Sequence, residues 1–253
     1  MFFSDAMKRD FERDGYILLP DVFKADEVQA MLADVEGGER VAAATREKGD
    51  ASGRKTKLAI WHELGGDIWA AASVTPRVVN NARMVLGEEI AFFHGKVMLK
   101  EAGQGGAWEW HQDYGYWYNQ GFAFPRMLSV FVALDAATRE NGCLQVLRGS
   151  HLLGRLNHDK IGTQTGIDPQ RIEKLEPLFE RVYVEMRPGS ALFFHCNLLH
   201  SSGPNESAHH RRSFIICYNA LANPQITDEI TFESRPCPVG PEDGMRCFLS
   251  NAK

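Results

Sequence analysis

His111 and Asp113 form an H-x-D tripeptide that lies between two aromatic residues, Trp110 and Tyr114. Side chains alternate along a β-strand, so a histidine and an aspartate two positions apart on a strand face the same side. One imidazole nitrogen and one carboxylate oxygen can then bind the same metal ion. A second histidine would complete a facial triad, which leaves coordination positions open and suits oxygen-activating non-haem Fe(II). The alternative for an isolated pair is a histidine and an aspartate that hydrogen-bond to backbone at a barrel rim, because short motifs recur by chance.

The third ligand is either His195 or His200, which are an odd number of positions apart. If the strand persists, that separation places the two rings on opposite faces. His195 ends an apolar run that begins at Ala191, which favours a packed or hydrogen-bonded histidine. His200 precedes small residues, among them Ser202 and Gly203, that let a ligand approach the backbone closely. The sequence therefore favours His200.

Arg211 and Arg212 begin a predicted strand that continues through Ser213. A guanidinium group binds a carboxylate through two hydrogen bonds, and it would hold the far end of a dicarboxylate whose other end chelates the metal. If Ser213 faces inward, the period of a strand also turns Arg211 inward and turns Arg212 to solvent. Arg211, assisted by Ser213, is the candidate anchor, and Arg212 is the candidate solvated cation.

The elements that must position these residues change along the chain. Helices are predicted in the first third, where apolar positions repeat with helical spacing, and strands follow. The helices cover 4–13, 25–35 and 75–86, and the strands cover 16–19, 90–100, 107–114, 127–134, 143–147, 181–186, 191–195 and 213–219. Asn141-Gly142 predicts a hairpin, and Pro188-Gly189 predicts another tight reversal. Residues 39–57 lack a usable period and predict a mobile connection or lid, and 152–177 predict a second lid over the barrel mouth.

Many short strands with long insertions predict a mainly β fold, a jelly roll or cupin-like barrel with helices packed on its outside. We expect one domain over residues 1–253. In it, 1–89 give mostly helical support and a lid, 90–220 give the barrel core, and 221–253 give a C-terminal extension.

Composition excludes several classes of protein. The 253 residues are 44% hydrophobic and 24% charged, which is typical of a globular domain. A net charge of -5 with dispersed basic residues argues against nucleic-acid binding. No apolar stretch is long enough for a membrane span, and the N-terminus turns polar too soon for a signal peptide. Five cysteines without a C-x-x-C pair indicate reduced thiols, so we expect a cytoplasmic protein.

Six motifs follow one another along the chain: F-E-R-D-G-Y at 11–16, W-H-Q-D at 110–113, N-G-C-L at 141–144, R-G-S-H at 148–151, P-G-S at 188–190, and the segment 200–211. Their residues and order resemble the phytanoyl-CoA dioxygenase family of Fe(II)- and 2-oxoglutarate-dependent oxygenases, over most of the chain. The stretch from Lys96 through Gln112 to Asn141 also resembles the ectoine hydroxylase branch.

The resemblance implies a double-stranded β-helix in which His111, Asp113 and His200 bind Fe(II) and catalyse the reaction. It implies that Arg211 forms a salt bridge with 2-oxoglutarate and that O2 is the oxidant. We expect Ser213, Ser202 and Met98 beside this cosubstrate and Lys96 facing the substrate. Phe131 stands where the family often has a tryptophan near the cosubstrate. Family halogenases lack the carboxylate ligand, so Asp113 favours hydroxylation or a related oxidation.

Tyr116 and Trp117, just past the metal motif, predict one wall of a substrate pocket, although most aromatic residues of this stretch are expected to pack in the barrel. With Lys96 and Phe131 they are the candidate substrate-binding residues. Two other functions fit parts of the pattern. A non-catalytic cupin-like protein would bind metal and dicarboxylate without turnover. A zinc hydrolase would need a general base and would leave Arg211 unexplained. The sequence indicates a small-molecule substrate without identifying it, and it does not specify an oligomeric state.

Overall fold

The computed structural model describes residues 2–229 and 231–249. Helices from the first third of the chain form one layer, as predicted. They are α1 (Asp5–Asp14), α2 (Ala25–Gly37), α3 (Glu39–Ala44), α4 (Ile68–Ser73) and α5 (Pro76–Leu86). Ser4 caps the first of them by accepting a hydrogen bond from the backbone N–H of Met7. Gly15 ends that helix at φ +83°, a conformation that favours glycine.

Strands dominate the rest of the described chain. In chain order they are β1 (Tyr16–Leu19), β2 (Thr45–Gly49), β3 (Lys55–Trp61), β4 (Ile90–Lys100), β5 (Trp108–His111), β6 (Met127–Ala133), β7 (Leu144–Leu147), β8 (Asp159–Ile161), β9 (Gln164–Gly166), β10 (Arg181–Val184), β11 (Ala191–His195), β12 (His200–Ser202) and β13 (Arg211–Ala220). The remaining helices are α6 (Asp113–Asn119), α7 (Pro169–Leu175) and α8 (Arg246–Leu249), with 3-10 turns at Ser150–Leu153 and Glu176–Leu178.

These strands form two main antiparallel sheets and one small hairpin. The larger sheet has the order β1-β11-β6-β13-β4-β3-β2, and the smaller has the order β10-β7-β12-β5. Strands β8 and β9 pair only with each other. Consecutive strands often lie in different sheets, so the chain crosses repeatedly from one sheet to the other.

Apolar residues fill the space between the two sheets and also cover their outer faces. One cluster joins Phe131 and Ile215 of the larger sheet to Val146 of the smaller one. The opposite face of the larger sheet packs against the helical layer, which explains why every residue of β6 is buried. The predicted class, mainly β with helices outside, is thus confirmed. None of the described helices is long and apolar enough to cross a lipid bilayer.

The prediction that residues 39–57 form an irregular connection or lid was wrong. This segment forms α3, β2 and the start of β3, and the two strands form a hairpin at the edge of the larger sheet. The central residues of β2 are Arg46, Glu47 and Lys48, all exposed. Charged side chains are typical of edge strands, where they prevent pairing with other chains, and here they obscured the strand period.

Two further predictions need correction, and a third is not tested by the structure. Asn141-Gly142 and Pro188-Gly189 do reverse the chain, but each joins strands of different sheets and neither forms a hairpin. A turn signal gives the reversal but not the strand with which the chain then pairs. The strand predicted to continue to Tyr114 ends at His111, and Asp113 begins α6 instead. The insertion at 152–177 packs Ile167, with Ile172 and Leu175, on the outer face of the smaller sheet, while His158 and Thr165 of the same insertion contact Gln112 and Tyr116. Its role as a lid therefore stays a prediction.

Candidate active site

His111, Asp113 and His200 converge in space although they come from different elements. Strand β12 pairs with β5 so that His200 lies directly opposite His111, and Asp113 follows as the first residue of α6. The Asp113 Oδ1 lies 3.7 Å from the His111 Nε2 and 3.8 Å from the His200 Nε2. The candidate ligand atoms of the three residues all lie within 4.8 Å of one another, and the side chains are buried.

Hydrogen bonds to backbone carbonyls fix the orientation of both imidazole rings. The His111 Nδ1 donates to the carbonyl of Glu109 at 2.7 Å, and the His200 Nδ1 donates to that of Leu198 at 2.9 Å. Because a carbonyl only accepts, the proton sits on Nδ1, and each Nε2 presents a lone pair toward Asp113. Burial, and then the charge of His200, lower the pKa of His111 well below its ordinary value. Burial also lowers the pKa of His200, against the opposing charge of Asp113.

The other oxygen of Asp113 is held by a serine on the neighbouring sheet. The Ser129 Oγ, on β6, donates to the Asp113 Oδ2 at 2.5 Å. The Cys217 Sγ, on β13, lies 3.4 Å from the same hydroxyl. One carboxylate oxygen is thereby fixed by the protein while the other faces the two histidines.

This donor set fits a transition-metal ion. Two neutral imidazole nitrogens and one carboxylate oxygen match the facial triad, and the orienting hydrogen bonds match the usual surroundings of metal ligands. In the part of the chain that the structure describes, no other group of histidine, cysteine or acidic residues satisfies the same geometry.

A narrow cavity between the two sheets begins at the histidines. Its lining comes from both sheets and comprises Lys96, Met98, Trp108, His111, Phe131, Leu144, His200, Ser201, Ser202, Arg211 and Ile215. About 30 Å³ of it is open, which is room for roughly one water molecule. A larger ligand therefore requires side chains at the cavity to rotate.

Arg211 lies at one end of this cavity and has no carboxylate partner among the described residues. Its Nη2 donates to the carbonyl of Gly142 at 3.1 Å, its Nη1 donates to the Ser213 Oγ at 3.3 Å, and its buried Nε has no partner. Burial lowers the pKa of Arg211 to about 10. Arg212 points to the opposite face, as the strand period predicted, but it is not a solvated cation, because only 18% of its side chain is exposed and it pairs with Asp135 and Glu36.

A second buried cation, Lys100, lies opposite Arg211 in the sheet. Its Nζ donates to the backbone carbonyls of Gly203 and Ser202. Burial, and then the charge of Arg211, lower the pKa of Lys100 well below its ordinary value. Two neighbouring buried cations without a counterion indicate a site for an anion, because an unpaired buried charge is costly.

The remaining candidates fall into two groups. Tyr116 lies against the metal site, with its ring centroid 5.4 Å from that of His111, and its hydroxyl donates to the carbonyl of Thr165. Trp117 is buried against Phe93 at 5.6 Å and does not border the cavity. Its expected place in the pocket wall does not match this geometry, because the chain is helical there and a helix turns successive side chains in different directions.

His195, the rejected ligand, lies outside the metal group. Its Nδ1 accepts a hydrogen bond from the backbone N–H of Asn197 at 3.0 Å, and its ring lies 5.3 Å from that of His151. Burial lowers the pKa of His195 to about 4. It is the packed, hydrogen-bonded histidine that its apolar context favours.

Sequence reasoning missed Lys100 and Ser129. Lys100 follows Lys96 and Met98 at even spacing on β4, so the period of that strand could have placed it on the cavity face. Ser129 is the only polar residue within the fully buried strand β6, and a lone hydroxyl in such a strand needs a partner.

The chain is similar to known proteins in its sequence and in its fold. Residues 11–213 match the family model described as phytanoyl-CoA dioxygenase (PhyH). Ectoine dioxygenase of Bordetella bronchiseptica is 28% identical, over 92% of this chain and 82% of that protein. L-proline trans-4-hydroxylase of Streptomyces griseoviridis is 27% identical, over 87% of each. The crystal structure of EctD from S. alaskensis with bound Fe has a TM-score of 0.77 and 26% identity, over 94% of this chain and 87% of that one. The structure of EctD with 2-oxoglutarate and 5-hydroxyectoine has a TM-score of 0.74 and 27% identity, over 92% of this chain and 82% of that one.

Proposed function

This chain belongs to the phytanoyl-CoA dioxygenase (PhyH) family, and from that premise we propose that it is an Fe(II)- and 2-oxoglutarate-dependent dioxygenase that oxidises a small molecule. The observation that carries the proposal is a His-Asp-His group beside a cavity that the buried Arg211 also lines, with a second buried cation, Lys100, opposite Arg211 on the neighbouring strand. The first suits the metal, and the second suits the far carboxylate of a dicarboxylate cosubstrate.

In this proposal His111, Asp113 and His200 hold Fe(II). Both histidines are kept neutral by burial and oriented by backbone carbonyls, so their Nε2 lone pairs are available without loss of a proton. Ser129 restrains one oxygen of Asp113 and leaves the other for the metal.

Arg211 and Lys100 hold the far carboxylate of 2-oxoglutarate. The unpartnered Nε of Arg211 shows that its hydrogen-bonding capacity is not exhausted. Ser213 orients the guanidinium group through the Nη1. Met98, Phe131 and Ser202 line the cavity between this end and the histidines, as expected of residues beside the cosubstrate.

Bound iron, 2-oxoglutarate and O2 together supply the oxidation of a substrate C–H bond, with succinate and CO2 as co-products. The protein positions the reactants and excludes water. Apolar side chains, among them Leu144 and Ile215, line the cavity together with its polar groups and lower the local dielectric constant. The carboxylate ligand Asp113 favours hydroxylation over halogenation, as inferred from the sequence.

The order of the strands supports a finer description of the fold. We propose that the two main sheets are the faces of a double-stranded β-helix, with the candidate site between them. The substrate is a small molecule. The names of the similar enzymes make ectoine and L-proline the first compounds to assay.

The test is an anaerobic titration of the purified protein with Fe(II) and 2-oxoglutarate. We expect the weak visible charge-transfer band of the iron-bound keto acid, and succinate formation after O2 is admitted. His200→Ala should abolish both signals. His209→Ala, which removes an exposed histidine further along the chain, should retain them. Absence of the band from verified iron-loaded protein would contradict the proposal. Binding of metal and dicarboxylate without oxygen uptake across a metabolite panel would instead indicate a non-catalytic binding protein.

A further inference from the structure

Lys96 is a cation at the candidate site without a partner. It lies on β4, lines the cavity beside His111 and His200, and is half-buried. On the two neighbouring strands the residues paired with it are Ile60 and Ile215, which offer no counterion. The structure gives Lys96 no hydrogen bond or ion pair with any other described residue.

Lys96 and Lys100 lie on the same face of β4, with Lys100 as the last residue of the strand and Lys96 four residues before it. Four residues of strand separate their α-carbons by roughly 13 Å. Lys100 lies opposite Arg211, at the end that suits the far carboxylate of the cosubstrate. Lys96 lies toward the other end, where Ile60 on the neighbouring strand is 38% exposed. This more open end is the one that remains for the oxidised substrate.

The charges of the site leave Lys96 uncompensated. The cavity lining includes Lys96 and Arg211, and Lys100 adjoins it, but no acidic side chain lines the cavity. Asp113 is committed to the metal position beside the two histidines. A dicarboxylate cosubstrate would neutralise Arg211 and Lys100. An anionic group on the substrate would then be needed to neutralise Lys96, because a partly buried cation is stabilised by an anion.

His94 is a second polar side chain near this end, although it does not line the cavity itself. It stands two residues before Lys96 on β4, so the strand period places both on the same face. Its buried Nδ1 has no hydrogen-bond partner, and its ring packs 6.0 Å from Trp117 and 5.7 Å from His62. Unpaired buried polar atoms are rare in folded proteins, and a ligand with a polar group would satisfy this one.

We propose that the oxidised substrate is a small carboxylate whose carboxylate group pairs with Lys96. The proposal rests on the proposed dioxygenase function and adds the chemical class of the substrate.

The test compares small carboxylates with their primary carboxamides, beginning with L-proline and L-prolinamide and extending to other amino and hydroxy acids. The readouts are substrate-stimulated succinate formation and the ligand-induced rise in Tm of protein loaded with Fe(II) and 2-oxoglutarate under argon. We expect at least one carboxylate to act, and its amide to require about 10- to 100-fold higher concentration, the range for loss of a charged hydrogen-bonded pair.

Variants locate the effect. Lys96→Met should raise the half-saturating concentration of that carboxylate by about 10- to 100-fold, and Lys96→Arg should restore much of the affinity. Lys57→Met is the matched control, because Lys57 lies on the adjacent strand β3 and pairs with Glu101 at the surface. It should behave as the unmodified protein, and circular dichroism should show all variants folded.

Three outcomes would overturn the proposal. One is a panel in which no carboxylate acts, or in which amides act as well as acids. A second is unchanged carboxylate affinity in Lys96→Met. A third is that Lys96→Met raises the half-saturating concentration of 2-oxoglutarate but leaves that of the carboxylate substrate unchanged. That result would assign Lys96 to the cosubstrate. The charge-transfer band of the unmodified protein would still stand in each case, so failure of this proposal is distinct from failure of the function.

Discussion

The carboxylate of Asp113 is held on two sides by different kinds of contact. The Oδ1 faces the two histidines, and the Oδ2 accepts the hydrogen bond from Ser129. Such a bond fixes the direction of a metal ligand before the metal binds, so the ion does not have to order a free side chain. The role of Ser129 should therefore be visible in metal binding itself.

Ser129→Ala should weaken metal binding by about 10- to 100-fold, the usual range for loss of a hydrogen bond to a ligand. Titration of the metal-free protein with Co(II), followed by the visible absorption of the complex, measures this directly. Ser129→Thr should recover part of the affinity because it keeps the hydroxyl. Ser73→Ala removes another buried serine hydroxyl, one that donates to the Trp69 carbonyl in the helical layer, and should leave metal affinity unchanged. Equal affinity of Ser129→Ala and the unmodified protein would show that Ser129 only fills space.

Among the elements, the β2–β3 turn holds the segment that leads into β5. The Asp50 Oδ1 accepts hydrogen bonds from the Ser52 hydroxyl and from the backbone N–H groups of Ser52 and Arg54. Its Oδ2 accepts one from the backbone N–H of Ala107 at 2.8 Å, one residue before β5 begins. Asp50 is buried, and its carboxylate joins the edge hairpin to the strand that carries His111.

Asp50→Asn should lower the free energy of unfolding at pH 7 by about 1–3 kcal/mol, because the amide NH2 would face a backbone N–H donor. Burial alone would raise the pKa of Asp50, but its hydrogen bonds from Ser52, Ala107 and Arg54 hold that pKa below the ordinary value. The stabilisation is therefore complete above the unfolded-state pKa of about 3.9 and is lost as the pH falls through the lower folded-state value.

Urea unfolding at pH 7 and at pH 3 checks both parts of this prediction. The difference between the unmodified protein and Asp50→Asn should shrink only at the acidic pH. Asp159→Asn, at an exposed position on β8, should change the unfolding free energy little at either pH. A difference that stayed constant down to pH 3 would show that the ionised carboxylate is not the source of the stability.

The elements also show what the sequence can predict. The prediction of helix α1 was correct because its N-terminal cap and its terminal glycine depend only on residues close in the sequence. Residue types and motif order were enough to propose the three residues of the metal group, but they did not predict how the chain brings these residues together. Asp113 lies on a helix rather than on the predicted strand, and it reaches the histidines because β12 pairs with β5. Lys100 and Ser129 were missed because their roles depend on neighbours that are distant in the sequence, Arg211 in one case and the Asp113 carboxylate in the other.

At the scale of the whole molecule, the candidate site lies where the two sheets meet. Lys100 and Arg211 belong to adjacent strands of the larger sheet, whereas His111 and His200 belong to the smaller one. A metal-bound dicarboxylate would therefore connect both sheets through charged contacts, and it would neutralise two buried cations that repel each other. Its binding should stabilise the entire fold, because a ligand that binds only the folded state shifts the unfolding equilibrium.

We expect Fe(II) and 2-oxoglutarate under argon to raise the Tm of the unmodified protein by roughly 10–20 °C when each is at about 100 times its Kd. In Lys100→Met the gain should be markedly smaller, because one of the two cations that bind the far carboxylate is absent. The variant also loses the hydrogen bonds to the Gly203 and Ser202 carbonyls, which lowers its Tm with or without ligands. The quantity to compare between proteins is therefore the rise in Tm on ligand addition. Lys174→Met, at an exposed position on α7, should show the full gain. If Lys100→Met also showed the full rise in Tm, Arg211 alone would bind the far carboxylate of 2-oxoglutarate. The buried Lys100 would then need a different anion as its partner.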